Sequence, residues 1–216
     1  MHAQAIIFDM DGTLMETEEQ WDVVRRQLAA DAGITWPEEA TRAMMGMSTP
    51  EWSEYLVSFV GLPYSAPEAA EKTIDAMAQH HREGVELLPG AIESVRRMAE
   101  RYPLAIASSS PRRLIDAGVE AMGIGDLLSA TVSTEEVAAG KPAPDGFLRA
   151  AELLGVDPAA CLAIEDSTNG VLSALEAGMQ VVCIPPTFHP PSDDVLARTT
   201  VLDSLDELTF ELIEGI

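Results

Sequence analysis

The sequence predicts an α/β fold, a doubly wound, Rossmann-like parallel sheet with an inserted all-helical subdomain. Three observations support this prediction. Four short apolar runs each end in polar or proline residues, helical stretches lie between them, and one long segment has helical patterning only. Runs that are apolar on both faces of a strand are typical of a parallel sheet covered by helices on both sides. Their alternation with helices indicates the doubly wound class.

The elements follow each other in a regular order along the chain. The predicted strands are the apolar runs at 5–8, 104–107, 161–164 and 181–184. Helices are predicted at about 90–101, 111–122, 143–155, 167–177 and 204–214. Glycine follows three of them, at Gly123, Gly155 and Gly178, where a left-handed residue commonly ends a helix. This order leaves a long gap between the first and second strands.

That gap carries no run that resembles a buried strand. Its apolar residues repeat at helical spacing instead, at Trp21, Val24 and Leu28 and again at Trp52, Leu56 and Phe59. Glycines and prolines divide the segment into several helices. We therefore expect a core domain formed by 1–14 and 87–216, and an inserted helical cap formed by 15–86.

Composition and charge limit the classes of partner. The chain has 36 acidic and 13 basic residues, which gives a formal net charge of −23. Nucleic acids and anionic membranes both require a basic face, so neither is an expected partner. The two cysteines lie in apolar runs and do not suggest a disulfide framework, and the N-terminus lacks a secretory pattern. We expect a cytoplasmic protein, and a monomer is the default.

Polar clusters follow the predicted strands at the edge where open α/β sheets bind ligands. The clusters contain Asp9 and Asp11, then Ser108, Ser109 and Ser110, then Lys141, and last Glu165 and Asp166. Taken alone, each has an ordinary explanation as a turn, a helix cap or a solvated charge. Hydroxyls at a helix N-terminus also suit a phosphate group, and a hard cation could take one oxygen from Asp9 and another from Asp166.

In order along the chain, the clusters resemble the four motifs of the haloacid dehalogenase superfamily. The matching segments are Asp9-Met10-Asp11-Gly12-Thr13, Ser108, Lys141-Pro142 and Glu165-Asp166. The resemblance covers essentially the whole chain, including a helical cap after the first motif. It is strongest to the branch that contains β-phosphoglucomutases and sugar-phosphate phosphatases. Four motifs in order at strand ends are specific evidence, whereas one alone would be weak.

The resemblance implies a role for each motif residue. Asp9 would be the nucleophile that forms an aspartyl phosphate, and Asp11 would be the general acid and base. Ser108 and Lys141 would bind the phosphoryl oxygens. The implied cofactor is Mg²⁺, held by the Asp9 carboxylate, the Asp11 backbone carbonyl and Asp166, with Glu165 assisting. The expected substrate contacts are Ser109 and the cap residues Gly46 and Thr49.

The acid at Asp11 favours phosphate-ester chemistry, because the dehalogenases and phosphonate hydrolases of the family lack an acid there. The leading prediction is a Mg²⁺-dependent phosphatase of small phosphorylated sugars or polyols. The alternative enzyme is a β-phosphoglucomutase-type mutase, which would carry two cap cations where this chain has Thr49 and Met77. A non-catalytic binding protein is disfavoured because every motif side chain is present. His80, His81 and Arg82 are an alternative source of cap cations, but adjacent polar residues on a helix more commonly form a solvated face, which is what we expect.

Overall fold

The computed structural model describes residues 3–44, 47–187 and 190–216. The chain divides into two compact units, Met1–Glu16 with Val85–Ile216, and Thr17–Gly84. The strands are β1 (Ala5–Phe8), β2 (Met15–Glu16), β3 (Glu86–Leu87), β4 (Leu104–Ser108), β5 (Leu128–Ser133), β6 (Cys161–Glu165), β7 (Gln180–Cys183) and β8 (Thr200–Val201). The helices are α1 (Glu18–Asp31), α2 (Ala40–Ala43), α3 (Thr49–Ser58), α4 (Ala66–Glu83), α5 (Ala91–Ala99), α6 (Arg112–Met122), α7 (Asp145–Leu154), α8 (Thr168–Glu176), α9 (Asp193–Leu196) and α10 (Phe210–Gly215). None of these described helices is long and apolar enough to cross a membrane.

The first unit contains a six-stranded sheet in the order β5-β4-β1-β6-β7-β8, and all its strand pairs are parallel. The register aligns the carboxyl ends of the three central strands. Phe8 at the end of β1 lies opposite Ile106 of β4 on one side and Ile164 of β6 on the other. The polar residues that follow these strands therefore emerge at the same edge of the sheet.

Both faces of the sheet are buried, as the fully apolar runs predict. Ile6 and Phe8 of β1 belong to a core cluster on one face, which also contains Val95 of α5. Ile7 belongs to the cluster on the opposite face, with Phe147 of α7. The parallel order and helices on both faces confirm the predicted doubly wound α/β class.

The sequence analysis missed four strands in the first unit. β5 reads LSATVS and is only partly buried, so its polar residues interrupt the apolar pattern. β8 has two residues, and β2 and β3 pair as a short antiparallel ribbon. Met15 and Glu86 were expected to lie in an all-helical segment, and the structure places both in this ribbon. Strands this short have too few residues to produce a readable period.

The helix predicted at 204–214 is wrong as a single element. The structure has a 3₁₀ turn at Leu205–Glu207 and then α10. The Ser204 hydroxyl accepts a hydrogen bond from the amide of Asp206, and the Thr209 hydroxyl accepts one from the amide of Leu212. Two caps within one short segment start two separate elements, because each satisfies the free amides of a new helical turn.

The second unit is a group of four helices with its own apolar core. Its buried residues include Val24, Ala40, Met44, Trp52, Leu56, Ile74 and Met77. α3 and α4 both begin with a capping box, formed by Ser48 with Glu51 and by Ser65 with Glu68. One sequence expectation is wrong here, because His81 is buried and not solvated.

Candidate active site

The first turn of the site follows β1 directly. Gly12 has a φ of +84°, and a Cβ atom at this position would lie 2.5 Å from Oδ2 of Asp166. A side chain here would therefore be strained and would collide with the carboxylate. Thr13 donates a hydrogen bond from its hydroxyl to Oδ1 of Asp166 at 2.9 Å. The turn thus connects the loop after β1 to the loop after β6.

Lys141 links two of the predicted acids. Its Nζ atom lies 2.5 Å from Oδ1 of Asp9 and 2.6 Å from Oε1 of Glu165. All three side chains are almost entirely buried. Charge-assisted contacts of this length are among the stronger hydrogen bonds in proteins. The structure therefore brings three residues, from three separate motifs, into one buried ionic cluster.

Glu165 is fixed by backbone amides as well as by the lysine. Its Oε2 atom accepts hydrogen bonds from the amides of Asp166 and Ser167 and from the Ser167 hydroxyl, at 3.0 to 3.1 Å. A Cβ atom on Gly170 would lie 1.7 Å from Oε1 of Glu165. The first turn of α8 therefore needs glycine at this position to admit the carboxylate. These contacts orient Glu165 rigidly at the base of the site.

The carboxylate cluster has the composition of a cation site. Asp9, Glu165 and Asp166 each offer an oxygen, and these three oxygens all lie within 4.8 Å of one another. Lys141 supplies one positive charge to three acids, so the cluster stays net negative when all of them are ionised. Buried oxygen ligands with excess negative charge fit a hard divalent cation.

The pKa values reflect this crowding of negative charge. Burial raises the pKa of Asp9 well above its ordinary value, and the charges of Glu165 and Asp166 add to the effect, while Lys141 opposes it. Burial, together with the charge of Glu165, raises the pKa of Asp166 to about 7. Burial alone would lower the pKa of Lys141, but the charges of Asp9 and Glu165 outweigh it and raise that pKa. Additional positive charge at this position would stabilise the ionised acids.

Asp11 contacts the serines that follow β4. Its Oδ2 atom accepts a hydrogen bond from the Ser110 hydroxyl at 2.6 Å and a longer one from Ser108 at 3.4 Å. The Ser110 amide donates to the Ser108 hydroxyl at 3.0 Å. Ser109 is exposed, and its carbonyl accepts from Thr134. Ser110 belongs to the three-serine cluster that the sequence predicts, but no individual role was predicted for it.

The predicted site residues fall into three groups. Asp9, Asp11, Ser108, Lys141, Glu165 and Asp166 lie at one edge of the sheet in the first unit. Thr49 is the first residue of α3 in the second unit. Gly46 lies outside the described residues. The arrangement in the first unit combines a buried carboxylate, a lysine and a hydrogen-bonded second carboxylate, which can support nucleophilic and acid–base chemistry on an anion.

Comparisons of this chain with a family model and with known proteins agree on one family. The family model of haloacid dehalogenase-like hydrolases matches residues 3–178. The chain is 38% identical to Protein CbbY of Rhodobacter capsulatus over 89% of this chain and 90% of that protein. It is 36% identical to the probable pseudouridine-5'-phosphatase of Drosophila melanogaster over 83% of this chain and 80% of that one.

A solved structure matches over nearly the whole length. The structure is CbbY from Rhodobacter sphaeroides in complex with xylulose-1,5-bisphosphate. It superposes with a TM-score of 0.84 at 26% identity and covers 96% of both chains. The similarity therefore includes the segments of both units.

Proposed function

Because the chain belongs to the haloacid dehalogenase-like hydrolase family, we propose that it is a Mg²⁺-dependent phosphatase of small phosphorylated sugars or polyols. The observation that carries this proposal is the buried cluster in which Lys141 contacts Asp9 and Glu165 beside Asp166. Hydrolases of this family generally use a divalent metal, and the cluster has the oxygen ligands for one. The reaction would proceed through an aspartyl phosphate on Asp9.

Asp9 is the proposed nucleophile. One of its oxygens attacks phosphorus, the bond from phosphorus to the leaving oxygen breaks, and the phosphoryl group is left on Asp9. The attacking form is ionised, and Lys141 at 2.5 Å stabilises that charge against the effect of burial. Mg²⁺ held by Asp9, Asp166 and the backbone carbonyl of Asp11, with Glu165 assisting, would offset the repulsion between carboxylate and phosphate.

Asp11 is the proposed acid and base. In its protonated form it gives a proton to the leaving oxygen, and it later takes a proton from the water that cleaves the aspartyl phosphate. The hydrogen bonds from Ser110 and Ser108 hold one oxygen of Asp11, which fixes the direction of the carboxyl group. Lys141 and the Ser108 hydroxyl would bind the phosphoryl oxygens during both steps.

The similar proteins support the substrate class. One relative is named a probable phosphatase of pseudouridine 5'-phosphate, and one structural neighbour holds a sugar bisphosphate. Both compounds are phosphorylated sugar derivatives of small size. A phosphorylated sugar or polyol is therefore the proposed substrate, with the phosphate bound at the edge of the sheet and the leaving group outside it.

Hydrolysis is proposed over phosphoryl transfer within the sugar. The two positions at which a mutase would carry cap cations are Thr49 and Met77. Met77 is fully buried within the second unit, so a side chain there packs against the helices around it. A mutase needs cations that face its substrate, because a desolvated phosphate is costly without paired charge.

A screen of phosphorylated metabolites with a phosphate-release readout tests the proposal. We expect phosphate release from sugar or polyol monoesters that stops with EDTA and returns with Mg²⁺. Full activity without a divalent ion would contradict the metal assignment. Incubation with β-glucose 1-phosphate and a catalytic amount of the 1,6-bisphosphate separates the two enzyme classes. Efficient formation of glucose 6-phosphate with little free phosphate would show a mutase instead.

A further inference from the structure

Ser173 of α8 is a fully buried serine in the first unit. Its hydroxyl donates a hydrogen bond of 2.6 Å to the backbone carbonyl of Ala143. Ala143 belongs to residues 137–144, the segment that precedes α7 and carries Lys141, hereafter the lysine loop. The hydrogen bond therefore joins a helix to the loop that supplies the proposed phosphate-binding lysine.

The lysine loop has little backbone structure of its own. Pro142 and Pro144 have no amide hydrogen, so neither can donate a backbone hydrogen bond. The amide of Ala143 donates to the carbonyl of Gly140 at 3.0 Å and closes one turn. Residues 138–140 are exposed to solvent. A hydrogen bond from a buried side chain of another element therefore contributes strongly to the position of this backbone.

The Lys141 side chain, in contrast, is only 5% exposed and has to be placed accurately. Its ammonium contacts the carboxylates of Asp9 and Glu165. An ammonium has three donors, so these two contacts leave one donor for a phosphoryl oxygen. A lysine carries its charge on a flexible four-carbon stem, so the direction of that donor depends on where the backbone holds the stem. A displacement of the loop would weaken the contact with phosphate.

The helix that carries Ser173 also contacts the second acid partner of Lys141. Gly170 and Ser173 are three residues apart and lie on the same face of α8. The absence of a side chain at Gly170 admits the carboxylate of Glu165, because a Cβ atom there would lie 1.7 Å from Oε1. One helix face thus holds both the acid that pairs with Lys141 and the backbone of the lysine loop. A single rigid element therefore fixes the separation between the lysine and this acid.

We propose that Ser173 is a positioning residue for Lys141, and that its hydrogen bond to Ala143 fixes the backbone from which the lysine reaches the phosphoryl group. The inference rests on the proposed function, in which Lys141 binds the phosphoryl oxygens. Ser173 itself bonds to the loop and not to the reacting atoms, so its whole effect on phosphate release passes through Lys141. A serine that only stabilised the fold would affect the melting temperature and leave the action of Lys141 unchanged.

Two fully buried serines of the first unit provide the variant and its control. Ser173→Ala removes the hydrogen bond to the lysine loop, whereas Ser94→Ala removes a hydroxyl that donates to the carbonyl of Ala91 in its own helix at 2.9 Å. With p-nitrophenyl phosphate and Mg²⁺, we expect Ser173→Ala to lower kcat/KM by about 5- to 10-fold, the effect of one net hydrogen bond. The inhibition constant of inorganic phosphate should rise by a similar factor. Ser94→Ala should change neither, and an equal change in both variants would overturn the inference.

A double-mutant cycle with Lys141→Met tests whether Ser173 acts through the lysine. Lys141→Met should lower kcat/KM by about 10²- to 10³-fold, the scale of losing one electrostatic contact with the reacting group. In that background Ser173→Ala should cause no further fall, because the side chain that it positions is gone. A fall by the same factor in both backgrounds would show that Ser173 acts independently of Lys141, and would refute the inference.

Hydrogen exchange of the full-length protein, followed by NMR at the Ala143 amide, gives a readout that needs no activity. We expect exchange to be about 5- to 10-fold faster in Ser173→Ala and unchanged in Ser94→Ala, since loss of the hydrogen bond favours local opening of the loop. Ser173→Cys fills similar space with a weaker donor, so it should lie between the wild type and Ser173→Ala. If the alanine variant does not fold, the cysteine variant is compared with the wild type in its place. Wild-type exchange in the folded variants would overturn the inference even if their activity fell.

The wild-type enzyme separates failure of this inference from failure of the proposed function. If it releases no phosphate from any ester, including p-nitrophenyl phosphate, the proposed function fails and the inference fails with it. If it releases phosphate and Ser173→Ala matches it in kcat/KM, only the inference about Ser173 is disproved. Thermal unfolding by circular dichroism verifies that each variant is folded at the assay temperature.

Discussion

Each unit of this protein holds an internal cation, of which Lys141 is almost entirely buried and Arg25 is half-buried, and the two differ in the groups that surround their charge. Lys141 in the first unit contacts two carboxylates, at 2.5 and 2.6 Å. Arg25 in the second unit contacts two indole rings and has a buried donor without a described acceptor. Lys141 therefore belongs to a cluster with excess negative charge, and Arg25 to one with excess positive charge.

The difference indicates what each cluster would gain from a ligand. The acids around Lys141 would be stabilised by a further cation, as the raised pKa values of Asp9 and Asp166 indicate. Arg25 would be stabilised by an anion. A metal ion would meet the first need, and an anion would meet the second. A charged group that is incompletely paired in a folded chain therefore indicates the sign of the charge on the ligand that it would bind.

The largest expected effect comes from removing the proposed nucleophile in the Lys141 cluster. Asp9→Asn should lower kcat by about 10⁶-fold, the scale seen when a covalent nucleophile is removed, because an amide cannot form the acyl phosphate. In EDTA the melting temperature of the variant should be no lower than that of the wild type. Burial and the neighbouring acids disfavour the charge of Asp9, and Lys141 retains its ion pair with Glu165 when Asp9 is replaced. Steady-state phosphate release and thermal melts measure both quantities. Asp126→Asn, at an exposed site, is the control.

Wild-type turnover in Asp9→Asn would end the covalent hypothesis. A large fall in melting temperature would instead show that the ion pair of Asp9 and Lys141 stabilises the fold. That result would weaken the contrast with Arg25, because the Lys141 cluster would then serve stability more than metal and substrate binding.

The acid and base of the same unit should have the next largest effect. Asp11→Asn should lower kcat by about 10²- to 10⁴-fold, the usual contribution of general acid–base catalysis. The loss should be smaller for esters with a good leaving group, such as p-nitrophenyl phosphate, because such a group leaves without a proton. Comparison of sugar and aryl phosphates measures this difference. Equal losses for both classes would argue against Asp11 as the acid in the first step.

The sequence predicted the Lys141 cluster because its residues follow strands whose order can be read from apolar runs. Asp9 and Glu165–Asp166 stand at the ends of β1 and β6, and the parallel register brings those ends together. Lys141 lies far from both along the chain, and it was predicted only through the resemblance to a family. The contact of Ser110 with Asp11 was not predicted, because three adjacent serines look alike in sequence and only the backbone decides which of them faces Asp11.

The Arg25 cluster was harder to predict for a physical reason. Trp21 and Trp52 were identified by their helical spacing, and that spacing gave no sign that an arginine would lie between them. Trp21 and Arg25 are one helical turn apart on α1, but Trp52 is on α3. Their contact depends on how two helices pack, which helical periodicity does not determine. Short strands such as β8 escape prediction because they carry too few residues to show a pattern.

The third prediction concerns pH and the metal. In EDTA the folded pKa of Asp166 is about 7, and the unfolded value is about 3.9. Between these values the folded protein keeps a proton that the unfolded chain releases, so the contribution of Asp166 to stability falls as pH rises through this window. The total fall is about 4 kcal/mol at most, at 1.4 kcal/mol per unit of pKa. Mg²⁺ should reverse it, because metal binding favours ionised carboxylates.

Thermal melts of the wild type and Asp166→Asn, at pH 5 and pH 8 with and without Mg²⁺, measure this effect. The Mg²⁺-induced rise in melting temperature should be larger at pH 8 than at pH 5, and it should shrink in the variant. An equal rise at both pH values, or an equal rise in the variant, would show that the ion binds elsewhere. In that case the acids around Lys141 would not require a metal ion, and the contrast with Arg25 would fail.

The smallest expected effect distinguishes two adjacent serines. Ser110→Ala removes the 2.6 Å hydrogen bond to Oδ2 of Asp11 and leaves the longer bond from Ser108. A net hydrogen bond is worth about 1 kcal/mol, so we expect kcat to fall by about 5- to 10-fold through less precise orientation of the acid. The Ser110 carbonyl accepts from the Ser133 hydroxyl at 2.7 Å, and this contact survives the substitution, so the loop should keep its place.

Ser109→Ala is the matched control, since Ser109 is exposed. If Ser109→Ala has the larger effect, the substrate contact predicted from the sequence is right and the orientation of Asp11 by Ser110 is wrong.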